Sequence, residues 1–390
     1  MSDLLDLAPF VAGGEHALFG RLREQAPAHN PEPDGPGFWS LTRYEHVAAA
    51  ARDHSRFRSG SGTQIRDKRA EGQGHPSVHN ADPPLHGRLR ALVLPSLARS
   101  RVERLTPLIA TIAARLLAET PRDRPWDFVE GVAVPLPMMV IAAVLGVPDG
   151  DQRQLVGWAN LMSDVRADDS VQADARANLF DYFRVLVAAK RRDPADDLAS
   201  ALAAAELDGA TLPADALDAY FMLLTVAGNE TTRFLLTGGL AELLRDEAAG
   251  GGQLDRLRGD PGLIPTAVEE LCRWVSPVAH MRRTTSAATD LWGTAVPAGA
   301  KVVLWFASAN RDERVFADPD RIDVGRAVNP HLGFGLGAHF CVGAHLARLE
   351  AQLFLTALLA DGRRLRLLAE PERLPSNWFT GWTRMPVEWA

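Results

Sequence analysis

The stretch from Pro330 to Arg348, PHLGFGLGAHFCVGAHLAR, sets one cysteine, Cys341, in a glycine-rich loop that opens into a helical pattern. Any fold that accepts it must bring a bare backbone and a thiol to one spot. Gly333, Gly335 and Gly337 allow backbone conformations and close approaches that a side chain would block, so a flat ligand can lie against the loop. Beyond Gly343, apolar residues from Ala344 through Leu346, Ala347 and Leu349 to Leu353 recur at helical spacing. Cys341 therefore stands just before a helix N-terminus, where unpaired N–H groups favour the thiolate, the form that acts as ligand or nucleophile.

A lone cysteine is most often a small buried hydrophobe. Its neighbours argue for more. Phe334 can pack beside the sulfur and limit water, His339 can reach a carboxylate on a ligand, and bare glycines leave N–H groups free to bond sulfur. Thiolate is the ligand that haem iron takes in oxygen-cleaving enzymes. The run Phe334-Gly335-x-Gly337-x-His339-x-Cys341-x-Gly343 resembles the haem-binding signature of the cytochrome P450 family, the haem-thiolate monooxygenases. A dinucleotide-binding loop fits less well, because Phe340 stands where its third glycine belongs.

At 390 residues and 46% apolar content the chain can bury a large core, as one big domain or two ordinary ones. The resemblance, spread from His86 to Arg348, implies one haem domain over residues 1–390. Its fold is expected to be mainly α with small β-sheets, the haem lying between a long central helix and the cysteine loop. A net charge of −7 argues against a nucleic-acid binder. Only Cys272 and Cys341 occur, which fits a reduced intracellular setting. Asp3 and Asp6 stand where a signal peptide carries positive charge, and no apolar run approaches the ~20 residues that span a bilayer. The expectation is a soluble, cytoplasmic, monomeric protein.

Residues 1–36 read as an irregular lead-in rich in proline and glycine, followed by a strand at 38–41 and a helix at 44–52. Residues 59–80 form a long polar loop, of the kind that is more often functional than idle. In the helix after Asp82-Pro83-Pro84, His86 and Arg90 stand four apart on one face and can clamp a carboxylate. A pair at that spacing is commonly just a solvated face. The resemblance makes these two binders of the haem propionates. Helices are expected over 101–119, 127–147, 152–163 and 174–191, and in the family the 151–192 region roofs the substrate pocket.

Residues 213–245 carry the longest helical pattern. Leu223, Ala227, Thr231 and Phe234 share one face, and Ala227-Gly228-Asn229-Glu230-Thr231-Thr232 interrupts it with poor helix formers. Thr231 can back-bond to the Ala227 carbonyl and bend the helix. The same bend opens a groove beside Ala227 and Gly228, and a local widening of the hydrogen-bond ladder is expected there. By resemblance this is the oxygen-activation motif, with Thr231 and Glu230 steering protons, and Leu223 a substrate contact.

Glu270 and Arg273 share a face of the next helix, and Arg326 fits the arginine that joins them into the family's structural triad. Cys272 reads as packing. Residues 278–305 have strand character. By resemblance Arg283 is a second propionate arginine and Ala279 lines the pocket, while Ala288 replaces an acid the family often carries after this arginine. Residues 376–389 read as a closing hairpin whose tip, Phe379 and Thr380, enters the pocket.

The implied reaction is insertion of one oxygen atom from O2 into a C–H or C=C bond of a lipophilic small molecule, steroid, terpenoid or lipid-like. Haem b is the implied cofactor, held by Cys341 on the iron and by His86, Arg90, Arg283 and His339 on the propionates. No flavin or iron–sulfur segment is present, so electrons are expected from a separate ferredoxin and its NAD(P)H-dependent reductase. Arg99, Arg101, Arg104 and Arg348 are candidate docking charges. A tailoring oxygenase of specialised metabolism, acting on a free or carrier-tethered substrate, would keep every one of these motifs. A peroxygenase or a non-catalytic haem sensor would not need the Glu230–Thr231 pair.

Overall fold

The computed structural model describes residues 4–33, 35–66, 77–163 and 168–390. Parts of two segments discussed above, 67–76 and 164–167, lie outside the described residues.

The fold is built around one helix, Ala214–Ala248, which at 1.5 Å per residue is about 52 Å long. Asp215 in its first turn and Arg245 in its last complement the helix dipole. Buried residues such as Phe221, Leu235, Leu240 and Leu243 cover most of its circumference, so it has neighbours on several sides. Those neighbours are helices Pro135–Leu145, Asp169–Arg192, Ile264–Val275 and Ala344–Ala360. Pro135–Leu145 is apolar almost all round and ends where Gly146 turns left-handed at φ 73°. A five-stranded sheet stands to one side, in the order Ala28–Asn30, Phe38–Leu41, Lys301–Trp305, His280–Thr285, Phe57–Arg58. Lys301–Trp305 runs parallel to Phe38–Leu41, with Lys301 opposite Phe38, and antiparallel to His280–Thr285, with Val302 opposite Arg283. This mainly helical architecture with small sheets is the one the sequence implied.

Four local expectations are corrected. The lead-in is ordered: helices Ala8–Val11 and Glu15–Arg23 place Phe10 and Phe19 against Trp305, with ring centroids 6.0 and 5.1 Å away. Pro27, Pro31, Pro33 and Pro36 sit between short elements, while Pro9 lies in the first turn of Ala8–Val11 and Gly20 within Glu15–Arg23. The 101–119 helix is two helices, Arg99–Glu103 and Thr106–Glu119, with Pro107 opening the second. The closing hairpin divides: Trp382–Arg384 pairs with Glu372–Arg373, while Pro386–Trp389 joins Leu365–Leu367 and Trp126–Asp127. The central helix keeps α geometry through Ala227–Thr231, and a π turn lies instead at Val129–Ala133. The Thr231 hydroxyl donates to the Ala227 carbonyl at 2.7 Å without widening the ladder. Among the described residues no helix is long and apolar enough to cross a membrane.

Candidate active site

A cavity of about 260 Å³ lies between the central helix and the Cys341 loop. Ala227, Gly228, Thr231 and Thr232 line it from the helix, and Phe334, Gly335, His339, Cys341 and Gly343 line it from the loop. The glycines earn their places locally. Gly337 has φ +72°, and a Cβ on it would stand 2.6 Å from the Ala51 carbonyl oxygen; Gly335 has φ +67°. Further bonds hold the loop: Leu332 N–H to Asn310 Oδ1 at 2.7 Å, Gly335 N–H to the Leu332 carbonyl at 2.9 Å, and Cys341 N–H to the Phe334 carbonyl at 2.9 Å.

Cys341 is exposed only in the sense that it faces this cavity. Burial raises its thiol pKa, opposed by the Gly343 N–H and by the charges of Arg90 and Arg348. The helix that follows starts at Ala344 with Gly343 as its cap, as expected. Burial is the largest of these, and a cation placed at the sulfur would favour the thiolate against it.

His86, Arg90, Arg283 and His339 all line the cavity, coming from one helix, one strand and the loop. His86 is buried, its Nε2 has no partner, and its ring lies 4.2 Å from that of His339. His339 has Ser59 Oγ 3.2 Å from its Nε2. Burial, then the charges of Arg283, His86, His79 and Arg90, push the His339 pKa down to about 2. Burial lowers Arg283 to about 10. Such a concentration of donors without an opposing carboxylate on the wall calls for an anionic partner. The one acid on the wall among the described residues, Glu350, is fully buried, has an unpartnered Oε2, and is pushed by burial well above the usual carboxylate range.

The remaining wall is apolar. Val78, Val93, Leu97, Ile141, Leu223, Leu224 and Met281 line it. Most of these, and His79, escaped the sequence reading, because an apolar residue in a helix looks the same whether it faces a core or a cavity. Three expected pocket residues lie off the wall. Ala279 is buried in the sheet-side core, its N–H donating to the Trp378 carbonyl at 2.8 Å. Phe379 bridges Val278 and packs at a tilt against Phe234, ring centroids 5.6 Å apart, and Thr380 N–H bonds the Pro277 carbonyl, so Pro277 and Val278 reach the cavity in their stead. Glu230 is also off the wall, half-buried on the adjoining helix face, beside the buried Arg233.

Glu270, Arg273 and Arg326 do meet. Arg273 donates to both Glu270 oxygens at 2.8 Å, Arg326 Nε donates to Oε2 at 2.9 Å, and Glu270 and Arg273 are fully buried. Asn329, at the threshold of the cysteine loop, donates to the same Glu270 oxygen at 3.2 Å. The four candidate docking arginines are already engaged. Arg99 bonds Glu103 at 2.8 Å, Arg101 and Arg104 face Asp196, and Arg348 binds Glu269.

A cysteine at a helix entrance, a bare backbone beside it and a cluster of cationic donors at one edge define a haem-thiolate site. These residues fit a flat group with a metal at its centre and carboxylates on one edge. Residues 262–375 match the family model for cytochrome P450. The chain is 39% identical to the methyl-branched lipid omega-hydroxylase of Mycobacterium bovis, over 95% of this chain and 90% of that protein. It is 36% identical to the steroid C26-monooxygenase of Mycobacterium tuberculosis, over 99% of this chain and 96% of the relative. The solved structure of Mycobacterium marinum cytochrome P450 CYP268A2 in complex with pseudoionone superposes with a TM-score of 0.90 at 34% identity, covering 100% of this chain and 99% of that one. The chain belongs to the cytochrome P450 family. It is a monooxygenase, and its cofactor is haem b.

Proposed function

We propose that residues 1–390 form a single haem domain that oxygenates a lipophilic small molecule in the cytoplasm, with electrons delivered by a separate ferredoxin and its NAD(P)H-dependent reductase. The observation that carries the substrate class is the apolar wall from Val93 and Ile141 to Leu223 and Met281, set beside the cysteine and the donor cluster. The relatives named for a methyl-branched lipid and a steroid, and the structure holding pseudoionone, support it.

When bound, the haem supplies a thiolate-ligated iron that activates dioxygen for transfer of one oxygen atom to the substrate, the other leaving as water. Cys341 would ligate the iron. His86, Arg90, Arg283 and His339 would hold the propionates by charge-assisted hydrogen bonds, which would also give the orphan Nε2 of His86 a partner. The apolar wall orients the substrate and excludes water. Thr231 Oγ1 donates a hydrogen bond to the Ala227 carbonyl and lines the cavity, so its lone pairs are free to accept a hydrogen bond there and the hydroxyl can relay a proton. Glu230, half-buried one residue earlier, collects protons from solvent.

The test is ferredoxin-supported NAD(P)H consumption across a panel of branched lipids, steroids and terpenoids, read with the substrate-binding difference spectrum. Coupled turnover of at least one compound is expected. Turnover with peroxide alone, or none with any member, sinks the proposal. In Thr231→Ala the haem is expected to remain while reducing equivalents pass to hydrogen peroxide; tight coupling would remove Thr231 from the proton path.

A further inference from the structure

Phe334 adjoins the cysteine ligand: its carbonyl holds the Cys341 N–H and its ring lies on the cavity wall. The guanidinium carbon of Arg348 sits 4.2 Å from the centroid of that ring, within cation–π range. Arg348 projects from the helix that Cys341 precedes, and Glu269 fixes it with two charge-assisted bonds, Nε to Oε1 at 2.6 Å and Nη2 to Oε2 at 2.7 Å. His331 Nε2 lies 3.0 Å from Glu269 Oε2. At the other side of the imidazole the Gly333 N–H donates to Nδ1 at 3.1 Å, so Nδ1 is bare and the ring proton is on Nε2, donated to Glu269. Arg348 and Glu269 thus form a paired cation and anion, with His331 as a third hydrogen-bond partner on the same carboxylate.

This is not how a docking charge is presented. The Arg348 side chain is only 25% exposed and His331 only 3%. Burial raises the Glu269 pKa, yet the hydrogen bonds and charges of Arg348 and His331 together outweigh it and bring it down to about 2. The ion pair thus persists at neutral pH, and both of its polar edges are used within the protein.

We propose that Arg348 is a positioning residue for the Cys341 ligand: pinned by Glu269 and His331, its guanidinium holds the Phe334 ring beside the sulfur and sets the field that the thiolate feels. The inference rests on Cys341 being the iron ligand. A cation near that centre favours the reduced state and an anion disfavours it. Arg348→Gln strips the cation and leaves Glu269 uncompensated; Glu269→Gln does the reverse. The two changes break the same contact and act with opposite sign, which a purely structural role cannot produce.

The experiment is a dye-equilibrated reductive titration of the holoenzyme, with no protein donor present. In Arg348→Gln the ferrous-to-ferric ratio at fixed potential is expected to fall about threefold, equivalent to about 30 mV at ~59 mV per tenfold. In Glu269→Gln it is expected to rise, and Arg348→Lys, which keeps the charge, to stay nearer the parent. Ratios that shift in the same direction in both glutamine variants, or in neither, overturn the proposal. The thiolate-type carbon monoxide spectrum is recorded in parallel. Its absence from the parent protein overturns the ligand assignment, whereas its presence with unmoved potentials overturns only the role of Arg348.

Discussion

On the cysteine side of the cavity, backbone and side chains are tied by named polar contacts and left-handed glycines, whereas the wall from Val93 and Ile141 to Leu223 and Leu224 presents apolar side chains, with the Tyr220 hydroxyl donating to the Leu89 carbonyl at 2.8 Å behind it. The first side has to present one geometry to a cofactor of fixed shape. The second has only to be greasy and about the right size, a condition that many side chains meet. Substitutions are therefore expected to act on folding and cofactor retention on the first side, and on ligand choice on the second.

Arg273→Ala should test the contrast most severely. It leaves Glu270 buried and short of a partner, and it loosens the acid that also holds Arg326 and Asn329; about 3–5 kcal/mol of stability is expected to go, with little soluble holoprotein recovered. Normal yield would make the triad an ordinary contact. Gly337→Ala comes next, because the left-handed φ costs ~1–2 kcal/mol and the new Cβ meets the Ala51 carbonyl. Chemical denaturation with an unchanged midpoint would show that the loop is more compliant than its bonds imply.

A gentler probe is pH. The His339 pKa is held well below its unfolded value, so its contribution to stability is complete above about 6.5 and lost as pH falls toward its folded value, because only the unfolded chain takes up the proton. Cofactor-free protein is expected to be less stable at pH 5.5 than at pH 7.5, and haem should lessen the difference by giving the donor cluster its anions. Equal stability at the two pH values would place His339 outside the buried cluster. Smallest of all, Leu223→Val should weaken binding of a fitting ligand by about tenfold, the worth of a methylene in an apolar pocket, with haem spectra unmoved. A lost haem spectrum there would erase the distinction between the walls.

Legibility in the sequence followed the same division. That Cys341 and His339 face one cavity was readable from the glycine loop around them, whereas the placing of His86, Arg90 and Arg283 on the same wall, and the Glu270–Arg273–Arg326 contact, came from the family resemblance, since charges at helical spacing commonly face solvent. The central helix was readable from its length. Ala279, Phe379 and Thr380 were misplaced relative to the wall because strand alternation and the Phe379–Val278 bridge decide which neighbour points inward, and a one-residue offset exchanges the two faces. Glu350 gave no signal, since a glutamate on an amphipathic helix normally faces water. The engagement of Arg348 with Glu269, 79 residues away, is a tertiary fact that no local pattern carries.

The central claim is that Cys341 is the iron ligand on which both walls converge. Cys341→Ala, reconstituted with haem, reduced and exposed to carbon monoxide, tests it directly. The thiolate-type band is expected in the parent protein and absent from the variant; a thiolate-type band that survives in Cys341→Ala would contradict the assignment.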